Sequence, residues 1–197
     1  MTAKIRGLSY IVPVYNEQSV IVDTVDQLAK KLLTMDLMYE IIVVDDDPMG
    51  VQASFNVTVL MDWSLDTLVD DFRFNTRPTF IVANTRGMST AAAKHTVGEI
   101  AHNVTNAARM IDHPLVIIGR GDSTLRGHLG LEVGATMDEA GAPCAFVAPA
   151  FPTMGRTLLD GELCVGGEAL PAQGRVRGPS VVSLLDKQTN RAAGLVD

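Results

Sequence analysis

The feature that most constrains the fold is the alternation of short apolar runs with longer stretches of helical periodicity. Runs rich in Val and Ile predict β-strands at residues 8–14, 40–45, 57–60, 79–83, 115–119 and 145–149. These runs are apolar on both faces, which is typical of a parallel sheet covered by helices on each side. The pattern therefore predicts an α/β fold, a three-layer αβα arrangement with a mostly parallel, doubly wound sheet and right-handed crossovers.

Helical periodicity fills most of the segments between the predicted strands. The predicted helices cover residues 17–34, 64–72, 89–111, 131–140 and 180–188. The third has the strongest pattern, because Ser89 can cap its first turn and apolar residues recur at helical spacing as far as Ile111.

The composition changes after residue 150. Residues 151–179 are rich in Gly and Pro and have no strong apolar period. This pattern predicts a long irregular loop, and loops of this length are usually functional or mobile. The last stretch, 180–197, resumes a helix followed by a strand-like segment. A chain that stops there resembles a fragment, so we expect a longer parent protein.

Charge and composition exclude several classes of partner. The 197 residues hold 16 Lys+Arg and 23 Asp+Glu, a net charge of −7, without a basic run, which argues against nucleic acid as a partner. No apolar stretch approaches the roughly 18 residues that span a bilayer, and there is no signal peptide. Cys144 and Cys164 lack metal spacing. We expect a soluble cytoplasmic protein without a membrane partner, a zinc site or a disulfide framework.

Polar side chains follow the ends of several predicted strands. Asp45 and Asp46 follow the second strand, Asn84 and Arg86 follow the fourth, and the run RGDSTLRGH (120–128) follows the fifth. Because the carboxyl ends of parallel strands share one edge of the sheet, these groups are predicted to converge there.

The chemistry of these groups indicates a ligand that is both acidic and hydroxylated. Planar guanidinium groups suit a carboxylate or a phosphate. Aspartates accept hydrogen bonds from hydroxyls or hold a hydrated Mg²⁺, and short hydroxyl or amide side chains serve either purpose. A sugar acid would use all of these groups at once. The candidates are Arg86, Arg120 and Arg126; Asp45, Asp46 and Asp122; and Asn84, Ser123 and Thr124.

Structural alternatives remain open for single residues of this set. An aspartate at a strand end often caps the next turn, and Arg86 by itself would more often be part of a surface ion pair. The adjacent carboxylates of Asp45 and Asp46 repel each other, so they need a cation or a donor-rich ligand. No phosphate-binding loop of the G-x-x-x-x-G-K-[ST] type and no G-x-G-x-x-G helix start is present.

Six strings, kept in order, resemble the N-terminal domain of the four-carbon acid sugar kinase family. They are DDDPMG (45–50), VLMDWS (59–64), NTRGMS (84–89), RGDSTLRGH (120–128), PAFPTMGRT (149–157) and LLDKQTNRAAGLVD (184–197). The resemblance covers residues 41–197 and implies the phosphorylation of acids such as threonate or erythronate. It implies ATP and Mg²⁺ as cofactors, bound largely outside this chain. We expect the C-terminal nucleotide-binding domain to be absent here and this chain alone to bind weakly and to be inactive.

Carried over by position, the resemblance assigns roles to the residues at the strand ends. It implies that the substrate side comprises Asp45, Asp46, Asn84, Arg86, Arg120, Asp122, Ser123 and Arg126. We expect Asp46 and Asp122 to be catalytic, because an aspartate there would orient the attacking hydroxyl. The others, with Thr124, are expected to bind the substrate. Met49 departs from the pattern, since the family usually has Thr at this position.

The first 40 residues resemble a different family. LSYIVPVYNE (8–17) and YEIIVVDD (39–46) are similar to the opening of a GT-A type glycosyltransferase, in which an aspartate after the second strand binds a nucleotide sugar. No later Asp-x-Asp motif follows. We therefore expect residues 1–40 to be a fused leading strand and helix joined to the kinase-like domain 41–197; the alternative is a natural variant whose leading strand and helix only imitate that family. The alternatives to the kinase function are a nucleotide-sugar glycosyltransferase fragment or a non-catalytic orphan domain.

Overall fold

The computed structural model describes residues 8–11, 30, 40–51, 56–171, 178, 180–189 and 191–194. In these residues a parallel sheet is formed by β1 (Leu8–Ile11), β2 (Glu40–Asp45), β3 (Thr58–Leu60), β4 (Thr79–Val82), β5 (Leu115–Arg120) and β6 (Ala145–Val147). The helices are α1 (Leu65–Phe74), α2 (Thr90–Met110), α3 (Leu129–Ala140) and α4 (Val181–Thr189). The helix predicted over 17–34 lies outside the described residues, apart from Lys30.

The strand order in this sheet is β3-β4-β2-β5-β1-β6, and all of the described pairs are parallel. The chain crosses from β2 to both sides of the sheet, as a doubly wound topology requires. Asp45 is paired in register with Val82 of β4 and Arg120 of β5. The predicted α/β fold is confirmed, and its three central strands end together.

The core is built on both faces of the central strands. Ile42 and Ile117 pack with Leu68 of α1 and Ile100 of α2 on one face. Val43 points to the opposite face and is also fully buried. Two-sided burial explains why the middle of each of these strands is apolar on both faces.

Helix α2 begins and ends close to its predicted bounds. The Ser89 hydroxyl accepts a hydrogen bond from the Ala92 amide, and Ala93, Val97 and Ile100 form its buried stripe. This confirms the amphipathic pattern in the sequence. Among the described helices, none has both the length and the apolar character needed to cross a membrane.

The prediction of an irregular segment after residue 150 was wrong for residues 156–169. These residues form a second, antiparallel sheet of β7 (Arg156–Leu159), β8 (Glu162–Val165) and β9 (Glu168–Ala169). Its two turns are Asp160–Gly161 and Gly166–Gly167, in which all four residues have positive φ. Such paired positive φ values are what a two-residue hairpin needs, so these glycines make tight turns rather than irregular chain.

Helices α3 and α4 approach each other closely at a glycine. The amides of Gly130 and Leu131 at the start of α3 donate to the Gln188 side-chain oxygen of α4, at 2.9 and 3.3 Å. A Cβ at Gly130 would lie 2.7 Å from the Gln188 Cβ and 3.3 Å from the Leu184 carbonyl oxygen. The glycine therefore allows α4 to cap the helix that follows the 120–128 loop.

We expect Gly130→Ala to lower the free energy of unfolding by about 1–3 kcal/mol, because the two helices must separate slightly to admit the methyl group. The matched control is Gly98→Ala within α2, where a Cβ meets nothing within 4 Å. The control is expected to raise stability by about 0.5–1 kcal/mol. Urea denaturation of both variants measures the difference. Equal effects at the two positions would contradict this account of the α3–α4 contact.

Candidate functional site

A buried ion pair joins the ends of β2 and β5. Asp45 is fully buried, and Arg120 is 4% exposed. Arg120 Nη1 donates to the Asp45 carboxylate at 2.5 Å, and the Asp46 amide donates to the Arg120 carbonyl at 3.0 Å. Because the two residues are opposite each other in the parallel register, the end of the sheet itself places them in contact.

A second pair joins the end of β2 to the loop after β4. Arg86 binds the Asp46 carboxylate through two nitrogens, Nε at 3.0 Å and Nη2 at 2.6 Å, and its third donor, Nη1, binds Asp47. The Arg86 amide also donates to the Asp46 carbonyl at 3.0 Å. Such two-point geometry fixes the guanidinium plane. Asp46 is 2% exposed and the Arg86 side chain 18%, so this is a largely buried pair, not the surface ion pair considered above.

A third pair lies within the 120–128 loop and shapes it. The buried Asp122 carboxylate accepts hydrogen bonds from Arg126 Nε and Nη2 at 2.7 and 2.8 Å, from the Arg126 amide at 3.1 Å and from the Thr124 hydroxyl at 2.5 Å. The turn places Leu125 at a φ of 60°, a strained value for a side chain of its size. Leu125 is buried in a hydrophobic cluster with Leu129, Val133 and Leu163, and this burial opposes that strain.

Two glycines let the backbone approach these carboxylates. A Cβ at Gly50 would lie 1.1 Å from Arg120 Nη1, and a Cβ at Gly127 would lie 2.9 Å from Asp46 Oδ2. The 45–50 turn therefore lies against the Asp45–Arg120 pair, and the 120–128 loop lies against Asp46. The three strand ends thus share one site, as the sequence predicted.

Burial and ion pairing act in opposite directions on the titration of these groups. Burial raises the pKa of Asp45 to about 6, although Arg120 opposes the shift. Burial also raises the pKa of Asp46 against the hydrogen bonds of Arg86. For Asp122 burial would raise the pKa, but the bonds from Arg126 and Thr124 outweigh it and lower the pKa to about 2.

The other predicted residues take different positions around this site. Asn84 is exposed and has a φ of 52°, a left-handed value that asparagine tolerates. Ser123 is fully buried, and its hydroxyl accepts a hydrogen bond from Arg156 Nη1 at 2.7 Å. Arg126 is the accessible cation of the loop, with its side chain 48% exposed. The three predicted arginines all hold aspartates in this structure, so a ligand anion must compete with those carboxylates.

Glu132 was not predicted from the sequence. This residue of α3 lines a small pocket on the α2–α3 side of the sheet edge, where its carboxylate accepts a hydrogen bond from the buried Thr85 hydroxyl at 2.6 Å. The pocket is lined by Val44, Asp46, Thr85, Val97, Gly119, Gly121, Leu129, Glu132, Val133 and Thr136. Burial raises the pKa of Glu132 to about 7, and the charge of Asp46 adds to the shift. Its position between Leu129, Val133 and Thr136, on the buried face of the helix, was the available signal.

The carboxylates of the site do not suit a metal ion in this arrangement. Asp46 and Asp122 each have both oxygens engaged by an arginine. In the described part of the chain no group of three or more His, Cys, Asp or Glu side chains could hold a metal ion. The Mg²⁺ alternative for these aspartates therefore finds no support in the geometry.

The model of the sugar-binding N-terminal domain family matches residues 41–197. The chain belongs to this family. The model of glycosyl transferase family 2 matches a much shorter segment, residues 9–50, and overlaps the first match at β2. The longer match confirms a sugar-binding domain over residues 41–197.

Curated relatives carry kinase names. The D-erythronate kinase of Heliobacterium modesticaldum is 27% identical over 81% of this chain and 38% of that protein. The 3-oxo-tetronate kinases of Burkholderia multivorans and Haemophilus influenzae are 35% and 33% identical, each over 38% of this chain and over 19% and 20% of those proteins. This chain therefore spans well under half the length of the relatives it matches.

A solved structure shows the same fold. It is a domain of unknown function from Bordetella bronchiseptica, crystallised with bound citrate as a domain-swapped dimer. The TM-score is 0.58 at 23% identity, with 78% of this chain and 41% of that chain covered. At this identity the likeness supports the architecture of the sheet and helices.

Proposed function

We propose that this chain is the sugar-acid-binding domain of an ATP-dependent kinase that acts on four-carbon sugar acids such as erythronate, threonate or their 3-oxo relatives. The names of its curated relatives support this class of substrate. The proposed division is a leading segment at 1–40, the binding domain at 41–197 and a separate nucleotide-binding domain as its partner. The nucleotide would carry the phosphoryl group and Mg²⁺ to the substrate.

The observation that carries this proposal is the convergence of three aspartate–arginine pairs at the ends of β2, β4 and β5. The carboxylate of a sugar acid would compete with an aspartate for a guanidinium group, and Arg126 is the most accessible of the three arginines. An aspartate displaced in this way becomes an acceptor for the ligand hydroxyls. Each pair thus keeps its own two charges neutralised until a ligand with both kinds of group enters.

Asp46 and Asp122 remain the candidates for orienting the attacking hydroxyl. Phosphoryl transfer requires mainly positioning and charge neutralisation from the protein. Asp46 lies between the loops after β4 and β5, and Asp122 lies at the base of the 120–128 turn. A carboxylate at either place can accept a hydrogen bond from the substrate hydroxyl and orient its oxygen for attack.

We expect D-erythronate to bind this chain and erythritol, which has a hydroxymethyl group in place of the carboxylate, to bind at least tenfold more weakly. Replacing Arg126 with alanine is expected to weaken D-erythronate binding by roughly 10- to 100-fold, the value of a charge-assisted hydrogen bond. Arg191→Ala, which removes an exposed arginine paired with Asp138, is the matched control and should leave binding unchanged. Ligand-observed NMR measures these affinities even at millimolar values.

Equal binding of D-erythronate and erythritol would contradict the proposal, as would an unchanged affinity in Arg126→Ala. The second candidate function, a nucleotide-sugar glycosyltransferase fragment, is favoured by the match at residues 9–50. Binding of a UDP-sugar that is lost in Asp45→Ala, with no response to sugar acids, would support that candidate instead.

A further inference from the structure

Carboxylates outnumber guanidinium groups at the end of the sheet. The carboxylates are Asp45, Asp46, Asp47, Asp122 and Glu132, and the guanidinium groups are Arg86, Arg120, Arg126 and, against Ser123, Arg156. With every group ionised, the cluster has an excess of one negative charge, and an anionic ligand would add a second. A proton bound at one of the carboxylates would reduce this repulsion.

Glu132 differs from the other four carboxylates because, in the part of the chain that the structure describes, no arginine binds it. Its hydrogen-bond partner there is the Thr85 hydroxyl, which binds Oε1. The walls around it include the apolar side chains of Val97, Leu129 and Val133. A carboxylate in such surroundings is protonated more readily than one bound to a guanidinium group.

The charged groups that act on Glu132 come from two elements. The end of β2 contributes Asp45 and Asp46, and the loop after β4 contributes Arg86. Where α2, β5 and the loop after β5 line the pocket, they contribute Val97, Gly119 and Gly121, none of which titrates. Burial raises the pKa of Glu132 to about 7; the carboxylates of Asp46 and Asp45 add to the shift, and the Thr85 hydrogen bond and Arg86 oppose it.

We propose that Glu132 is the proton-carrying residue of this site, so that binding of an anionic sugar acid near neutral pH takes up a proton at its carboxylate. The inference rests on the proposed function. When a ligand carboxylate binds Arg126, the charge of Asp122 is less neutralised. That charge acts on Asp46, and the charge of Asp46 acts on Glu132. The proton comes from the solvent, binds at Oε2 while Oε1 keeps the Thr85 bond, and returns to the solvent when the ligand leaves.

The experiment measures the dissociation constant of D-erythronate from about pH 6 to about pH 9 in the wild type, Glu132→Gln and Glu139→Gln. Above neutrality the wild-type constant is expected to rise by up to about tenfold per pH unit, because the complex then needs a proton that free Glu132 has lost. Glu132→Gln keeps an acceptor for Thr85 and carries no proton, so its constant should stay flat. Glu139, exposed on the same helix, is the matched control and should behave as the wild type.

A flat wild-type profile, or a wild-type slope in Glu132→Gln, would overturn the inference while the proposed function stood. If no sugar acid binds at any pH, the proposed function fails instead. A pH titration of the ligand-free chain, followed by the carboxyl-carbon NMR signal of Glu132, then decides the inference. A titration midpoint near the ordinary glutamate pKa of about 4.3 overturns it, and a midpoint near neutrality supports a proton-carrying Glu132.

Discussion

Replacing Gly50 with alanine is expected to lower the free energy of unfolding by about 3–5 kcal/mol, the cost of breaking a buried ion pair. The new Cβ would lie 1.1 Å from Arg120 Nη1 and 2.1 Å from Asp45 Oδ2, so the two side chains must separate. Solvent has little access to either side chain, since both are almost fully buried. Urea denaturation, followed by circular dichroism, measures the loss.

The control for this variant is Gly87→Ala. Gly87 also lies in a loop at the sheet end, and a Cβ there meets nothing within 4 Å. We expect its effect to stay within about 0.5 kcal/mol. If the Gly50→Ala protein were as stable as Gly87→Ala, the close approach of Gly50 would not be needed for the Asp45–Arg120 pair.

Replacing Asp122 with asparagine is expected to cost about 2 kcal/mol of stability at neutral pH, which corresponds to the lowering of its pKa to about 2. The folded-state pKa lies below that of an unfolded aspartate, so the contribution is complete above about pH 4 and is lost as the pH falls through about 2. The difference from wild type should therefore be constant from about pH 5 to about pH 8. Unfolding measured across this range tests both the size and the sign.

Asp138→Asn is the matched control for that variant, because Asp138 also binds an arginine, Arg191, but both side chains are exposed. Exposed pairs contribute little, so we expect a change of at most about 1 kcal/mol. An equal loss in the two variants would mean that burial of Asp122 does not determine its contribution.

Much of the fold and of the site's position could be predicted from the sequence because local pattern and topology agreed there. Apolar runs that are hydrophobic on both faces predict the central strands. The carboxyl ends of parallel strands lie at the same edge of the sheet. Asp45 and Arg120 were therefore placed together without knowledge of their register. The pairing of each arginine with a particular aspartate could not be predicted, because it depends on side-chain geometry in three dimensions.

The two misses have different physical causes. In the segment after residue 150, strands of two to four residues are too short to show a period, and Asp160 and the glycines of its turns are typical of loops as well as of hairpins. Glu132 lies on a helix face, away from the strand ends that predicted the rest of the site. A charged residue at a buried position of a helix face is the signal that indicates it.

The central claim is that the carboxyl ends of β2, β4 and β5 form one binding site for a hydroxylated acid. Its most direct test is an NMR titration of the labelled chain with D-erythronate, followed through the backbone amides. The account predicts that the shifts concentrate in residues 45–50, 84–88 and 120–128, with little change in the β7–β9 sheet. Shifts confined to β7–β9, or no shift in these three segments at saturating ligand, would contradict it.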